Sequence, residues 1–253
     1  MAVERSEPPF RLALPEPTES YEQDVEYCVV DTGTGWTEYR FHDYDRLYTI
    51  PGLYEKLFYD VLQCCSPAVV CDLLAEQLSA ERVDPAGLRV LDVGAGNGIV
   101  AEELRERRIG KVVGVDIIPE ARVAAERDRP GTYADYHVVD LTALDGDESA
   151  SIASGGFDAL TCVAALGFGD IPPEAFRVAF DMVAVDGFVA FTLRDDFLSD
   201  GDTSGFGGLV KSMLDSGELE QLGSTVYRHR LATTRDPLFY RAVVARKRRP
   251  HTG

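Results

Sequence analysis

Five short apolar runs, separated by helix-like stretches, constrain this chain more than any other feature. They read RVLDVG (89–94), KVVGVDI (111–117), YHVVDL (136–141), FDALTCVAAL (157–166) and FVAFTLR (188–194). A strand apolar on both faces must be covered on both faces, and helical connections between such strands run them parallel. The intervening text supports helices from Ile99 to Arg107, from Pro119 through Ala121, Ala124 and Ala125, and from Pro172-Pro173 through Phe176, Ala179 and Phe180. Asp186-Gly187 reads as the turn into the fifth strand. The last part differs: a short helix around Leu209 to Leu214 precedes LEQLGSTVYRHR (219–230) and PLFYRAVVARKR (237–248), which read as two strands joined by a loop, an antiparallel end to the sheet.

Before the first of these strands the pattern is helical. Leu53, Leu57, Phe58, Val61 and Leu62 fall on one helical face. Ser66-Pro67 reads as an N-cap followed by the proline favoured at a helix start, and Val70, Leu73, Leu74 and Leu78 continue that helix. The first twenty residues, rich in proline and glutamate, read as loose surface chain. Residues 21–48 are tyrosine-rich and acidic without clear periodicity. The expected organisation is a helical lid segment over 1–85 and a sheet domain over 86–253. The 253 residues suffice for one α/β domain with an appendage.

RVLDVG runs straight into AGNG, and only glycine tolerates both the dihedrals and the closeness of a strand that turns sharply into a helix against a ligand. In the dinucleotide fingerprint G-x-G-x-x-G a third glycine follows, so that the helix N-terminus meets a pyrophosphate. Counted from Gly94, that place holds Ile99. The text is instead Asp92-x-Gly94-x-Gly96-x-Gly98, and an acid at Asp92 suits a ligand carrying an ammonium group and repels a pyrophosphate.

LDVGAGNG closely resembles the first motif of the class I S-adenosylmethionine-dependent methyltransferases. That resemblance, which covers roughly residues 88–247, implies a Rossmann-like, doubly wound, seven-stranded α/β sheet, mostly parallel with an antiparallel C-terminal strand. It implies S-adenosyl-L-methionine as cofactor, with Asp92, Gly94, Ala95, Gly96, Asn97 and Gly98 under its methionine part. Asp116, ending the second strand beside Ile117, takes the place of the acid that binds both ribose hydroxyls. Asp140 stands where an acid commonly accepts from the adenine amino group, with Leu141 offering a backbone N–H. FDALTCVAAL resembles the fourth-strand motif, whose end at Val163 and Ala164 lies beside the sulfonium. Two other readings remain at this point: a protein that keeps this cofactor site without transferring a methyl group, and a nicotinamide-dependent oxidoreductase, which Ile99 and Asp92 disfavour.

The acceptor is narrowed by absence. A net charge of −18 repels nucleic-acid backbones and anionic lipid. AALGFGDIPPEAF lacks the Asn/Asp-Pro-Pro-aromatic motif of amino-methylating DNA enzymes, and Cys162 lacks the proline of a cytosine-methylating nucleophile. A small-molecule substrate is expected, with neither nucleic acid nor membrane as partner, for a monomer or homodimer. His42 is the preferred base among His42, His137, His229 and His251. Tyr44, Tyr48 and Tyr54 are expected in the lid, with Gly167 and Phe168 giving the acceptor close access to the methyl group. The five cysteines form no C-x-x-C pair, so no metal is expected. The charges and prolines of the first residues, and the lack of any run near the roughly 20 apolar residues a span needs, point to a cytoplasmic protein.

Overall fold

The structure is a computed structural model that describes residues 9–16, 25–166, 170–194 and 205–249. Gly167, Phe168, His251 and the first eight residues lie outside this set. In chain order the elements begin with β1 (Arg11–Ala13), β2 (Tyr27–Asp31), β3 (Trp36–Arg40), α1 (Tyr44–Thr49) and α2 (Leu53–Glu55). The helix then loosens into a π-helical stretch over Lys56–Val61 and is followed by α3 (Ser66–Ala80). The sheet domain alternates: β4 (Arg89–Val93), α4 (Ile99–Glu106), β5 (Lys111–Asp116), α5 (Pro119–Asp128), β6 (Asp135–Val138), α6 (Gly146–Ala153), β7 (Phe157–Cys162), α7 (Pro173–Asp181) and β8 (Val183–Arg194). It closes with α8 (Phe206–Asp215), β9 (Leu219–Leu231) and β10 (Pro237–Lys247).

Seven strands form one sheet in the order β6-β5-β4-β7-β8-β10-β9. The first five are parallel, and β10 runs antiparallel to both β8 and β9. The expected doubly wound sheet with an antiparallel C-terminal end is therefore present. Chain order reverses at β4, which pairs with β5 on one side and β7 on the other. The helices leaving β4 and β7 thus diverge, and a crevice opens at the carboxyl ends of these strands.

Alternating strand residues fill two cores. Val90, Val112 and Ala190 face α3 and α4, meeting Val70, Leu74, Val100 and Leu104. Leu91, Val93, Leu160 and Phe191 face the other layer, meeting Phe176, Ala179 and Phe180 of α7. The helix α3 thus packs on the sheet, while a separate cluster of Phe10, Cys28, Val30, Phe41, Leu47, Leu53, Leu57 and Phe58 holds the segment before it together.

Three expectations change, and one helix is added to them. The segment before the sheet is not wholly helical: β1, β2 and β3 form a three-stranded antiparallel sheet. Its signal was the alternation in YCVVD, where Cys28 and Val30 are buried and Tyr27 and Val29 are not; the outward-facing β3 masked it. Helix α6 also went unread, although Asp145 and Glu148 form a capping box at its start. Asp186-Gly187 does not begin the fifth strand. It lies inside β8, where a bulge separates the Val183 and Phe188 pairings. Finally, Cys65 rather than Ser66 is the N-cap of α3. Ser66 is the first helical residue, and its hydroxyl lies 2.6 Å from His229 Nδ1 instead of capping the helix.

Candidate functional site

The turn after β4 is shaped by its backbone. The amides of Gly94 and Ala95 both donate to Val115 O, at 2.9 and 3.2 Å, which folds the loop across the end of β5. Gly94, Gly96 and Gly98 all have positive φ, at 69°, 53° and 88°. A side chain at Gly96 would also meet the Tyr48 hydroxyl at 2.5 Å, so Tyr48 rests directly on the loop. Asn97 is buried and donates to Glu55 at 3.3 Å. Arg129 donates to the same carboxylate at 2.6 Å and to Asn97 O at 3.3 Å, while Arg127 donates to Tyr48 O at 3.0 Å. The helices α1 and α2 are thereby clasped onto the glycine loop.

The three acids sit in different surroundings. Asp116 accepts from Gly96 N at 2.9 Å and Ile118 N at 3.0 Å, so it braces the loop from below. Burial raises its pKa. Asp140 is exposed and caps its own turn, accepting from both the amide and the hydroxyl of Thr142, and these bonds lower its pKa. Asp92 is 1% exposed, and its oxygens lie 2.7 Å from the Thr161 hydroxyl and 2.8 Å from that of Tyr133. The Tyr133 hydroxyl is also 3.0 Å from Ala95 O. Asp92 thus works beneath the glycine loop and is not among the residues lining the cavities described below.

Burial pushes the Asp92 carboxyl up to about 7, against the Thr161 and Tyr133 hydroxyls, which lower it, and with the Asp116 charge, which raises it. Unfolded, an aspartate titrates near pH ~3.9. Between these values the folded chain holds one proton more than the unfolded chain, so this group makes stability fall as pH rises through that window. Asp92→Asn, which keeps the shape, is expected to abolish this contribution, on the order of 2 kcal/mol between pH 5 and 8. Urea unfolding of both proteins across that range checks it; identical pH slopes would refute the assignment.

Two cavities meet above the loop. The first, of about 240 Å³, is lined by Val115, Asp116, Ile117, Asp140, Leu141 and Ile171. Ile117 is an apolar side chain 58% exposed at this site. The second, of about 80 Å³, reaches from the loop to Phe58, Tyr59, Cys64, His229, Arg230 and Tyr240. Their common wall is Gly94, Val163, Ala164, Ala165, His42, Tyr44, Tyr48, Tyr54 and Asp170. Ala164, just beyond β7, takes φ 55°, a strained value for a residue with a side chain, and its amide donates to Thr192 Oγ1 at 2.8 Å. Strain held in place by packing is characteristic of functional walls. The rings of Tyr44, Tyr48, Tyr54, Phe58 and Tyr59 form one chain of contacts, with centroids 4.8 to 6.4 Å apart. Burial keeps these four tyrosines protonated by raising their pKa.

The far wall is built from β9 and β10. His229 stacks on Tyr240 at 4.0 Å, and burial lowers its pKa well below the ordinary value, which keeps it neutral. Arg230 is paired with Glu26, whose other oxygen accepts from Thr233 N at 2.6 Å. Two backbone bonds fasten the region: Cys65 N to His229 O at 3.0 Å and Leu231 N to Leu62 O at 2.7 Å.

Of the residues singled out from sequence, Gly94, Ala95, Gly96, Asn97, Asp116, Ile117, Asp140, Leu141, Val163, Ala164, His42, Tyr44, Tyr48 and Tyr54 line this double cavity, while Gly98 is the N-cap of α4. Asp92 does not line it, and Gly167 and Phe168 lie outside the described residues. Sequence reasoning missed Asp170, Arg230, Glu26 and Tyr240. No local pattern marks them, because each reaches the site through long-range packing. Among the described residues no group of three metal-ligating side chains occurs, and no single helix is long and apolar enough to cross a membrane.

A family described as "Methyltransferase domain" matches residues 66–233, more than half of the chain. The chain belongs to this methyltransferase family. A ubiquinone biosynthesis O-methyltransferase from Xanthomonas axonopodis pv. citri is 34% identical over 115 residues, 44% of this chain and 45% of that protein. A protein of the same name from Pseudomonas fluorescens is 33% identical over 114 residues, 44% of this chain and 47% of that one. The match thus spans about half the length of these curated relatives. Among solved structures, the N-methyltransferase NodS from Bradyrhizobium japonicum, in complex with S-adenosyl-L-homocysteine, superimposes with a TM-score of 0.54. It is 15% identical, and the overlap covers 82% of this chain and 97% of that one. That likeness is one of fold: the sheet is the seven-stranded, Rossmann-like sheet of class I methyltransferases.

Proposed function

We propose that this chain transfers a methyl group from S-adenosyl-L-methionine to a hydroxyl of a small molecule. The observation that carries the reading is the double cavity: a cradle suited to the cofactor opens, across the wall of Gly94, Val163 and Ala164, into a ring-lined compartment bearing His42. The residues fit the cofactor. Asp116 faces the first cavity at the end of β5, where a ribose is expected, and the exposed side chain of Ile117 offers an apolar face to a purine. Asp140 and Leu141 stand at the adenine end; with its Oδ1 engaged by Thr142, Asp140 has Oδ2 for an amino group. Gly94 to Gly98 and Tyr48 enclose the methionine end. Bound there, S-adenosylmethionine supplies an electrophilic methyl group on a positively charged sulfur.

The protein supplies proximity and proton removal. The tyrosine rings hold the acceptor, and His42 is the group on the shared wall able to take a proton at neutral pH. The O-methyltransferase relatives support an oxygen acceptor, and the folded likeness to an N-methyltransferase leaves nitrogen as the second reading. The compartment is enclosed by segments 41–64 and 229–240 of the same chain, which favours a small acceptor.

Calorimetry is expected to give micromolar affinity for S-adenosylmethionine and S-adenosylhomocysteine and no binding of NAD. Transfer of label from methyl-tritiated S-adenosylmethionine into a panel of small phenols, alcohols and amines then reads the acceptor. Binding of NAD alone would sink the reading; label confined to the amines would replace oxygen by nitrogen.

A further inference from the structure

The geometry points to Asp170 as the positioning residue that sets the tautomer of His42 and strengthens it as a base. This inference rests on the methyl-transfer reading above and deepens it. His42 Nδ1 lies 2.9 Å from Asp170 Oδ2 and 3.1 Å from Oδ1. The two residues are 128 positions apart, so the pairing is a product of tertiary structure. Both line both cavities, and each side chain is about a quarter exposed, which admits substrate without flooding the pair. The Tyr44 ring meets the imidazole edge-on at 5.7 Å and restrains its plane.

An ionised carboxylate only accepts, so the proton of neutral His42 is placed on Nδ1 and the basic lone pair on Nε2. The Asp170 carboxylate is in direct contact with this ring. Tyr44, Tyr48, Tyr54 and Tyr240 stay protonated through burial, and Arg230 is balanced by Glu26. In the reaction the oxygen–methyl bond forms as the sulfur–methyl bond breaks, and the bonding pair stays on sulfur. The hydroxyl proton passes to Nε2, and the resulting imidazolium is paired with the Asp170 carboxylate. Without Asp170 the bond that holds the proton on Nδ1 is lost, and the Nε2–H tautomer, which cannot accept a proton at that nitrogen, gains population.

The test needs no acceptor. Side-chain ¹⁵N NMR of the full-length protein reads the tautomer and titration of each histidine, with His42→Gln assigning the signals. Wild-type His42 is expected as the Nδ1–H tautomer. In Asp170→Asn it is expected to shift towards Nε2–H, with a titration midpoint about one pH unit lower. Asp170→Glu is expected to restore much of both. Calorimetry on the same variants is expected to leave S-adenosylmethionine affinity within about threefold, since the proposed cofactor contacts are those of Asp116, Asp140 and the glycine loop, while Asp170 stands on the wall that both cavities share. An unchanged tautomer and midpoint in Asp170→Asn overturns the inference, as does loss of cofactor binding in that variant alone. Failure of the wild-type protein to bind S-adenosylmethionine defeats the methyl-transfer reading instead, and the tautomer result separates the two.

Discussion

Asp116→Ala is expected to weaken S-adenosylmethionine binding by about two orders of magnitude, or roughly 2.7 kcal/mol. Two losses combine. The amides of Gly96 and Ile118 both donate to this carboxylate, and without it the loop loses the acceptor that holds its shape. Each such bond contributes about 1 kcal/mol, and an unsatisfied buried donor costs about 1–3 kcal/mol. The proposed contacts to the ribose hydroxyls disappear as well, and hydrogen bonds to charged groups are the stronger kind, about 1.5–3 kcal/mol. Part of the sum falls on loop stability rather than affinity. Asp116→Asn separates the roles, because its amide oxygen still serves one backbone donor; an intermediate affinity is expected. Calorimetry checks both variants. An alanine variant within threefold of wild type would show that Asp116 does not hold the cofactor.

The largest expected effect on stability comes from Gly110→Ala, far from the cavities. Gly110 precedes β5 at φ 39°, and a Cβ there would lie 1.8 Å from Leu88 O and 2.6 Å from Leu88 C. Those atoms belong to the backbone, so no flexible side chain can yield. Both neighbouring bonds would have to give: Gly110 N to Pro85 O and Lys111 N to Leu88 O, each 2.8 Å. They set the register in which Arg89 meets Lys111 at the start of the central strand pair. A loss of at least about 3 kcal/mol is expected, in the range of severe steric and strain defects. Gly131→Ala is the control. Gly131 also has positive φ, at 73°, but open space where its Cβ would lie. Strain alone is expected to cost about 1 kcal/mol there. Equal losses in urea unfolding would discredit the close-contact argument.

What the sequence disclosed follows from how local each signal is. The parallel strands were readable because burial on both faces writes an unbroken apolar run. The loop was readable because positive φ at Gly94, Gly96 and Gly98 leaves few alternatives to glycine. Asp116 and Asp140 were readable through their places at strand ends. Asp92 was legible as a residue of the motif but not in its surroundings: Tyr133 and Thr161 come from other elements, and only they show that this acid lies under the loop. The side proposed for the acceptor was nearly silent. Asp170 gains meaning from His42, and Arg230 from Glu26, across separations that periodicity does not register. Strand β3 shows the same limit from the other direction. Its residues face outward, so no apolar alternation announces it, and β2 holds it by backbone pairing.

The Glu26–Arg230 pair joins residues 204 positions apart and closes the ring-lined compartment. The backbone bonds from Cys65 to His229 and from Leu62 to Leu231 do the same work nearby. During synthesis, then, the elements that carry the glycine loop and Asp116 leave the ribosome well before β9 exists. The segment with His42 and the tyrosines must wait, its Glu26 carboxylate in water, for a partner made more than 200 residues later. Contacts of such long range carry the highest closure entropy and form late. A chain arrested before β9 therefore holds the parts of the cofactor cradle without a finished wall for the ring-lined compartment, the proposed place of the acceptor. In this fold the two halves of the site differ in birth order as well as in chemistry.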